Sequence, residues 1–318
     1  MTELHVGFVG LGTMGKPMAH NVRRLDFPLT VYDVRPEPVA ELVAAGARAA
    51  GSPREAALDA DIVITMLPDS SDVRAAVLGP GGVLEGLRAG AVLMEMSTID
   101  PAVTREVDAA VQAKGARMID APVGRSSAAA AEGTLIIMAG GDPDTVGYCR
   151  PVLEAFGSTI HHCGPLGAGA TTKIVNNLVS SSILLVVAEA VVLGVKAGLT
   201  PEVMLQVLSG TGAGCWQLEN TFKGKVFRGD FEPGFKVDLA HKDLGLALNL
   251  ARECDVPLFV GGLARQLYQL ARAQGKGDQD WGAYTTVLEQ LARVNARYAG
   301  AAPSPSTPIE PALSEPTS

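Results

Sequence analysis

The 318-residue chain lacks several features that mark whole classes of protein. It contains no basic tract and its formal net charge is −8, whereas a dedicated nucleic-acid binder normally carries a basic stripe. Its cysteines form no CxxC pair and no metal-like cluster with histidine, so we expect no metal site and reduced thiols. The N-terminal segment lacks the charged and long apolar regions of a signal peptide. These absences favour a cytoplasmic protein without a nucleic-acid partner. The four cysteines are Cys149, Cys163, Cys215 and Cys254.

Long apolar runs without charges are also scarce. The longest apolar segment, ILLVVAEAVVLGVKAGL, is interrupted by Glu189, Gly194 and Lys196 and is too short between charges for a bilayer span. We therefore predict a buried helix there and no membrane association. The composition is 47% hydrophobic, which is enough for a large core, and the length favours two domains.

The first half of the chain alternates strand-like runs with segments of helical spacing. Such alternation requires parallel strand pairs joined by right-handed crossovers. We therefore predict an α/β fold with a doubly wound, mostly parallel sheet over residues 1–164. The strand-like runs are LHVGFVG, PLTVYDV, DIVITML, AVLMEMS, ARMIDAPV, TLIIMAGG and STIHHCG.

The second half of the chain shows helical spacing without strand-like runs. A long helical segment covers about residues 167–197 and is followed by further helix-like segments. We predict an all-helical substrate and dimerisation domain over residues 165–299, with the long segment as an interdomain helix. Residues 300–318 are rich in proline and serine and contain few large apolar residues, so we predict a disordered tail.

A glycine-rich turn, Gly10-Leu11-Gly12-Thr13-Met14-Gly15, follows the first predicted strand and opens the first helix. Its first glycine permits a tight turn, the second allows close approach of a pyrophosphate, and the third allows helix and strand to pack closely. Asp33 ends the second predicted strand, where a carboxylate can accept hydrogen bonds from ribose hydroxyls and repel a 2′-phosphate. Arg35 could soften that repulsion. The pattern predicts a dinucleotide site that prefers NAD to NADP.

The long helical segment places Lys173, Asn177 and Ser180 within roughly 60° of one another, with Asn176 at the edge of that face. Two interpretations are open. The lysine can simply cap the helix or be solvated at the surface. Alternatively, partial burial lowers its pKa, and the ammonium protonates the oxygen that gains negative charge when hydride adds to a carbonyl. Asn177 or Asn176 would then hold the lysine and the substrate hydroxyl.

Together with further motifs, these residues resemble the β-hydroxyacid dehydrogenases, the family that includes 3-hydroxyisobutyrate dehydrogenase and tartronate semialdehyde reductase. The resemblance covers about residues 4–298 and rests on GFVGLGTMGKPMA, MLP, DAPV followed by GTL, GAGATTKIVNNL and FKVDLAHKDLGLAL. It implies a Rossmann-type NAD-binding domain, an all-helical domain, and dimers or tetramers formed through the helical part.

The resemblance also implies roles for individual residues. Lys173 would be the catalytic acid/base, supported by Asn177 and Asn176. Ser97 and Thr98 would lie near the nicotinamide and the substrate, and Lys242 would reach the same cleft. Without the resemblance, Lys242 would be interpreted as a solvated surface lysine. The remaining cofactor-binding residues of the motifs are Met66, Leu67 and Pro68.

The segment after DAPV departs from the family pattern. The usual sequence is DAPVSGG, whereas this chain has Gly124, Arg125 and Ser126 at the last three positions. A guanidinium beside a hydroxyl suits an anion with three outward oxygens. The segment resembles the 3-sulfolactaldehyde reductases of sulfoquinovose breakdown, which use NADH to make 2,3-dihydroxypropane-1-sulfonate, and Ser180 matches a sulfonate-side serine of that subgroup. Alternatively, Arg125 is a loop arginine tied to a carboxylate such as Glu132.

These observations predict an NADH-dependent reductase of a small anionic aldehyde, with 3-sulfolactaldehyde as the first choice. One alternative is a carboxylate-specific dehydrogenase acting on 3-hydroxyisobutyrate, tartronate semialdehyde or succinic semialdehyde. A second is an imine reductase, which the presence of Lys173 disfavours. A third is a non-catalytic NAD-binding sensor, which the pairing of Lys173 with Asn177 disfavours.

Overall fold

The computed structural model describes residues 4–301. Residues 302–318, most of the tail predicted to be disordered, lie outside the described residues. The described chain forms two compact units. The first extends from the first described residue to Ser181 and includes Leu239–Gln266, and the second contains Ser182–Asp238 and continues from Leu267. The predicted domain division after residue 164 rests on a different criterion, the change in sequence pattern, and stays a prediction.

The first unit contains a sheet of nine strands among the described residues, in the order β3-β2-β1-β4-β5-β6-β8-β7, with β9 paired to β8. All adjacent pairs are parallel except β6 with β8 and β7 with β8. The prediction of a mostly parallel, doubly wound sheet is confirmed. The strands are β1 (Val6–Val9), β2 (Leu29–Tyr32), β3 (Arg48–Ala49), β4 (Ile62–Thr65), β5 (Val92–Glu95), β6 (Arg117–Asp120), β7 (Val123–Gly124), β8 (Ile136–Gly140) and β9 (Thr159–Gly164).

Helices connect the strands and, as predicted, make up the regular structure that follows the sheet. The α-helices are α1 (Gly15–Arg24), α2 (Pro36–Ala44), α3 (Pro53–Ala57), α4 (Ser70–Leu78), α5 (Val83–Gly86), α6 (Pro101–Ala113), α7 (Ser127–Glu132), α8 (Pro143–Leu153), α9 (Ala168–Lys196), α10 (Pro201–Ser209), α11 (Val237–Glu253), α12 (Phe259–Ala273) and α13 (Tyr284–Ala292). A π-helical segment covers Gln217–Phe222, and 3-10 turns cover Val226–Arg228 and Trp281–Ala283.

The central strands are buried on both faces, which explains their continuous apolar sequences. In β4, Ile62 and Ile64 belong to one buried apolar cluster, while Val63 between them belongs to a second. Successive side chains of a strand point to opposite faces, so the two clusters cover the two faces of the sheet. Each such side chain contributes about 1.5–3 kcal/mol on full burial. This packing fixes where the strands end, and the carboxyl ends of β1, β4 and β5 lie in register at one edge.

Helix α9 contains the apolar segment that was predicted to be a buried helix. Leu184, Ala188 and Val191 of this helix are buried. Among the described residues, α9 is also the one helix long and apolar enough to cross a membrane by length and composition, and 33% of its apolar window is buried. The same helix also carries exposed apolar side chains, among them Val186 and Leu193.

Candidate active site

The turn formed by residues 10–15 has the space that a dinucleotide needs. Gly10 has φ +99°, and a Cβ atom there would lie 2.3 Å from the carbonyl oxygen of Met66. A Cβ at Gly15 would lie 1.9 Å from the Gly10 carbonyl oxygen, whereas a Cβ at Gly12 would meet nothing within 4 Å. Gly10 and Gly15 thus allow tight packing, and Gly12 faces open space where a pyrophosphate can approach the backbone. The residues present fit a dinucleotide.

Asp33 connects this turn to the end of β2. Its Oδ2 accepts a hydrogen bond from the Leu11 N–H at 2.6 Å, and its Oδ1 accepts from the backbone N–H of Arg35 at 2.9 Å and from Arg35 Nε at 3.2 Å. The Asp33 side chain is 7% exposed, whereas that of Arg35 is 58% exposed. The carboxylate therefore lies where the ribose hydroxyls of a dinucleotide are expected, with a cation beside it.

Two short segments follow the neighbouring strands: the β4 loop (residues 66–68) and the β5 loop (residues 97–98). They are joined by Ser97, whose Oγ accepts a hydrogen bond from the Leu67 N–H at 2.8 Å. The Ser97 N–H in turn donates to Glu95 Oε1 at 2.6 Å. The sequence motifs indicate these loops but not Glu95, a buried carboxyl at the end of an otherwise apolar strand.

Lys242, from α11, reaches the same two loops. Its ammonium donates hydrogen bonds to the Pro68 carbonyl oxygen at 2.9 Å and to the Thr98 carbonyl oxygen at 2.7 Å. Its side chain is 24% exposed and forms an ion pair with Asp243 at 3.1 Å. The structure thus places Lys242 against the loops and not as a solvated surface lysine.

Helix α9 begins against a buried carboxylate. Asp120 Oδ1 accepts a hydrogen bond from the Gly167 N–H at 2.7 Å, and its Oδ2 accepts from the Ala170 N–H at 2.6 Å. Burial raises the pKa of Asp120, while these backbone donors lower it. Asp120 holds the start of the helix that carries Lys173, a role that the DAPV motif alone does not reveal.

A chain of polar side chains extends across the lysine face of α9. Asn176 Nδ2 donates to Asn177 Oδ1 at 3.0 Å, and Asn177 Nδ2 donates to Asp243 Oδ2 at 2.6 Å. Asn177 and Asp243 are both buried. Sequence reasoning missed Asp243, although its place next to Lys242 in HKDL was a usable signal.

Burial and two neighbouring charges act on the pKa of Lys173. This lysine is half-buried on the face of Asn177. Burial lowers its pKa, the positive charge of Lys242 lowers it further, and the negative charge of Asp243 raises it. An ammonium with a lowered pKa gives up its proton more readily near neutral pH, which suits a general acid. The interpretation of Lys173 as a fully solvated lysine does not match its surroundings.

Residues 124–126 form a separate segment, named here the substrate loop. Gly124 is buried at the end of β7, and Arg125 has φ +83°, an uncommon conformation for a residue with a side chain. Arg125 Nη1 donates to the Thr134 carbonyl oxygen at 3.2 Å, so the described hydrogen bond goes to a backbone group and not to the carboxylate of Glu132. Ser126 Oγ accepts from the Ala129 N–H at 3.5 Å at the start of α7, which leaves its O–H able to donate.

The structure thus brings several of the predicted residues together through hydrogen bonds and ion pairs. Asp243 pairs with Lys242 and accepts from Asn177, which in turn accepts from Asn176. The ammonium of Lys242 also donates to the β4 and β5 loops. The hydrogen bonds described for Arg125 and Ser126 stay within residues 125–134. Ser180 is half-buried on α9, one turn beyond Asn176.

A dinucleotide turn combined with a lysine of lowered pKa in one compact unit indicates hydride transfer coupled to proton transfer. That is the chemistry of oxidoreductases that act on CH–OH groups with a nicotinamide dinucleotide. The fold and the site therefore define this class.

Comparison with known proteins supports the class. Residues 5–164 match the NAD binding domain of 6-phosphogluconate dehydrogenase, and residues 167–288 match the NAD-binding domain of NADP-dependent 3-hydroxyisobutyrate dehydrogenase. The chain is 44% identical to 3-sulfolactaldehyde reductase of Escherichia coli (strain K12), covering 92% of this chain and 96% of the relative. It is 39% identical to 2-(hydroxymethyl)glutarate dehydrogenase of Eubacterium barkeri, covering 92% and 97%.

A solved structure is similar over nearly its whole length. The 3-hydroxyisobutyrate dehydrogenase of Mycobacterium tuberculosis, determined with L-serine, superposes with a TM-score of 0.84 at 33% identity and covers 90% of this chain and 99% of that chain. The chain belongs to the 3-hydroxyisobutyrate dehydrogenase family, that is, to the β-hydroxyacid dehydrogenases.

Proposed function

We propose that this enzyme is an NADH-dependent reductase of a small anionic aldehyde, with 3-sulfolactaldehyde as its substrate and 2,3-dihydroxypropane-1-sulfonate as its product. The observation that carries the substrate is Arg125 in the substrate loop, where the usual family sequence DAPVSGG has a glycine. The 44% identity to a 3-sulfolactaldehyde reductase supports the same substrate. On this proposal the enzyme takes part in sulfoquinovose degradation.

In the proposed reaction, bound NADH supplies the hydride that is added to the aldehyde carbon. Lys173 Nζ donates a proton to the aldehyde oxygen as negative charge develops there, so the products are an alcohol and a neutral lysine. Asn177, held by Asp243 and by Asn176, keeps the polar chain beside the lysine in one arrangement. Lys173 then recovers its proton from solvent.

The anionic group of the substrate would bind at the substrate loop. The Arg125 side chain is exposed, and only Nη1 is occupied by the hydrogen bond given above, to Thr134. The guanidinium has five N–H donors, so further donors can reach two oxygens of a sulfonate. Gly124 gives room beside them, and Ser126 and Ser180 would donate from their hydroxyls. Ser97 was predicted to contact the substrate, but it is 2% exposed and its side chain accepts the Leu67 N–H, so on this proposal it holds the β5 loop beside the substrate.

A carboxylate aldehyde is the second candidate, because a guanidinium also binds carboxylates through paired hydrogen bonds. Relatives named for carboxylate substrates support it, among them 2-(hydroxymethyl)glutarate dehydrogenase. The candidates are the aldehydes of 3-hydroxyisobutyrate, tartronate and 4-hydroxybutyrate. They differ from the sulfonate in presenting two oxygens instead of three.

The substrate is tested by following NADH oxidation with a matched panel: 3-sulfolactaldehyde, succinic semialdehyde, tartronate semialdehyde and methylmalonate semialdehyde. We expect kcat/KM to favour the sulfonate by at least about tenfold, a difference of about 1.4 kcal/mol. Arg125→Lys keeps the charge but loses the paired donors, so the KM for the sulfonate should rise about tenfold or more while the KM for NADH stays constant.

Arg125→Gly is the matched control for folding. A glycine adopts φ +83° without strain, so this variant should be at least as stable as the wild type while losing the sulfonate preference. A preference of the wild type for a carboxylate aldehyde would contradict the sulfonate proposal and leave the reductase chemistry in place. Turnover of none of the four aldehydes would contradict the reductase proposal and favour an NAD-binding sensor.

The preference for NADH over NADPH rests on Asp33. The Asp33 carboxylate would repel a 2′-phosphate. Arg35 already pairs with that carboxylate, so the positive charge of Arg35 is partly compensated and attracts a 2′-phosphate less. The remaining groups proposed to contact the cofactor are the turn of residues 10–15, the β4 loop, Thr98 and Lys242. Comparing kcat/KM for NADH and NADPH tests this preference directly.

We also propose that the enzyme is a cytoplasmic homodimer or homotetramer. Helix α9 carries four apolar side chains that are 50–71% exposed and lie within about 40° on one side of the helix, so a second copy of the chain could cover them. They are Val175, Val179, Val186 and Leu193. The four cysteines are unpaired, as expected in a reducing compartment. Light scattering would show two or four chains in solution.

A further inference from the structure

Glu95 is the last residue of β5 and is 1% exposed. Its two carboxyl oxygens have different partners. Oε1 accepts a hydrogen bond from the Ser97 N–H at 2.6 Å, and Oε2 is in hydrogen-bond contact with the Thr65 hydroxyl at the end of β4. One buried carboxyl therefore ties the carboxyl ends of two adjacent parallel strands to each other.

The contacts of Glu95 continue into the β4 and β5 loops. Ser97, whose backbone Glu95 holds, accepts the Leu67 N–H with its side-chain oxygen at 2.8 Å. The carbonyl oxygens of Pro68 and Thr98 in the same loops accept from Lys242. Glu95 thus holds the β5 loop at Ser97 and, through Ser97, the β4 loop at Leu67, while Lys242 holds the last residue of each loop.

The surroundings of Glu95 allow it to exist in two charge states. Burial raises its pKa to about 7, and the hydrogen bonds from Ser97 and Thr65 oppose that rise. The charged group that faces it is Asp120 on β6, its register partner, which raises the pKa further. Thr65, on the other side, is neutral. A protonated Glu95 can still accept from Ser97 and donate to the Thr65 hydroxyl, so both states keep their partners.

The fold determines which half of a dinucleotide lies near this carboxyl. Asp33 at the end of β2 is placed for the adenosine ribose, and the strand order reverses between β1 and β4. The other half of the cofactor, with the nicotinamide, therefore falls over the ends of β4 and β5. An oxidised nicotinamide ring is a cation, whereas the reduced ring is neutral. A buried negative charge attracts the first and not the second.

We propose that Glu95 is a positioning residue that holds the β4 and β5 loops for the nicotinamide and, through its own charge, sets the relative affinity for oxidised and reduced cofactor. The inference rests on the proposed use of a nicotinamide dinucleotide and concerns the same site. As the pH falls, Glu95 becomes neutral and the oxidised cofactor binds less tightly relative to the reduced one. When the enzyme reduces an aldehyde, neutralisation of Glu95 therefore favours release of NAD⁺, the oxidised cofactor.

The test is to measure the dissociation constants of NADH and NAD⁺ by fluorescence and calorimetry at pH values on both sides of the Glu95 pKa of about 7. In the wild type, the ratio Kd(NADH)/Kd(NAD⁺) should rise about threefold or more as the pH increases across this interval, because Glu95 then becomes negatively charged. This is the size expected for one charge at moderate distance. Glu95→Gln keeps both hydrogen bonds but not the charge, so its ratio should be independent of pH.

Two further variants separate charge from structure. Glu95→Ala loses both partners, so we expect the loops to loosen and both dissociation constants to rise about tenfold. Glu289→Gln removes another buried carboxylate, which accepts from the Ala296 N–H and pairs with Arg297 in the second unit. Because Glu289 is no part of the cofactor site, this control should keep the pH dependence of the wild type.

The inference is overturned when Glu95→Gln binds both cofactors with the same pH dependence as the wild type. Loss of the pH dependence in Glu289→Gln would also overturn it, because the effect would then follow general stability. The proposed function fails in a different way, when the wild-type protein binds neither cofactor or turns over no aldehyde. The two failures are therefore distinguishable.

Discussion

The pair of Lys173 and Asp243 shows how single residues set the chemistry. Burial lowers the pKa of Lys173, and Asp243 partly restores it. Asp243 also accepts the hydrogen bond of Asn177. One buried carboxylate therefore performs an electrostatic role and a positioning role, and the two can be separated because asparagine keeps the acceptor and loses the charge.

We predict that Asp243→Asn lowers the pKa of Lys173 further. In the proposed mechanism reduction requires protonated Lys173, so kcat/KM for an aldehyde should fall as the pH rises through this pKa. Without the Asp243 charge, the fall should occur about one pH unit lower, the size expected for loss of a nearby opposite charge. The measurement is the pH profile of kcat/KM in the reductive direction. An unchanged midpoint, with only a lower plateau, would show that Asp243 acts by positioning alone.

The placement of candidate residues was predictable from the sequence where a local pattern marked them, while their roles stay predictions. Lys173 and Asn177 share a helix face, and the glycines of residues 10–15 follow a strand. Asp243 and Glu95 were missed because their partners are distant in sequence: Asn177 is 66 positions from Asp243, and Thr65 is 30 positions from Glu95. Such pairs depend on how the helices and strands pack against each other, and the local sequence pattern does not show that packing.

At the scale of the element, the glycine turn between β1 and α1 makes a separable prediction. A Cβ at Gly15 would overlap the Gly10 carbonyl oxygen, so Gly15→Ala should lower the free energy of unfolding by about 1–3 kcal/mol. A Cβ at Gly12 meets open space. Gly12→Ala should therefore fold with a free energy within about 0.5 kcal/mol of the wild type and bind NADH at least about tenfold more weakly.

Chemical denaturation and NADH titration of both variants check this prediction. Tight NADH binding by Gly12→Ala would mean that the pyrophosphate does not approach the turn at Gly12. A normal stability of Gly15→Ala would mean that helix and strand have room to separate there.

The long elements were predicted well and the short ones poorly. The seven strand-like runs correspond to strands, but β3 is only two residues long and β7 is a separate two-residue strand in a segment interpreted as one run. The positive φ of Arg125 was equally invisible, because glycine is the residue that normally signals it. Sequence periodicity needs several residues, whereas these features depend on tertiary contacts.

At the scale of the whole molecule, the sequence pattern and the compact units divide the chain differently. The sequence after residue 164 shows no strand-like runs, which predicted a separate helical domain, yet Leu239–Gln266 forms one compact unit with the sheet. The hydrogen bonds of Lys242 and Asp243 explain why, since this segment supplies side chains to the site. A return of the chain over such a distance is not readable from local composition.

The central claim is that Lys173 is the proton donor of a reductase. It is tested most directly by comparing Lys173→Ala with the wild type in two measurements, NADH binding by fluorescence and NADH oxidation with the four aldehydes. We predict an NADH dissociation constant within about twofold of the wild type and a kcat lower by about 10²–10⁴-fold, the usual contribution of a general acid. A variant that binds NADH and retains a near-normal kcat would show that Lys173 is not the proton donor.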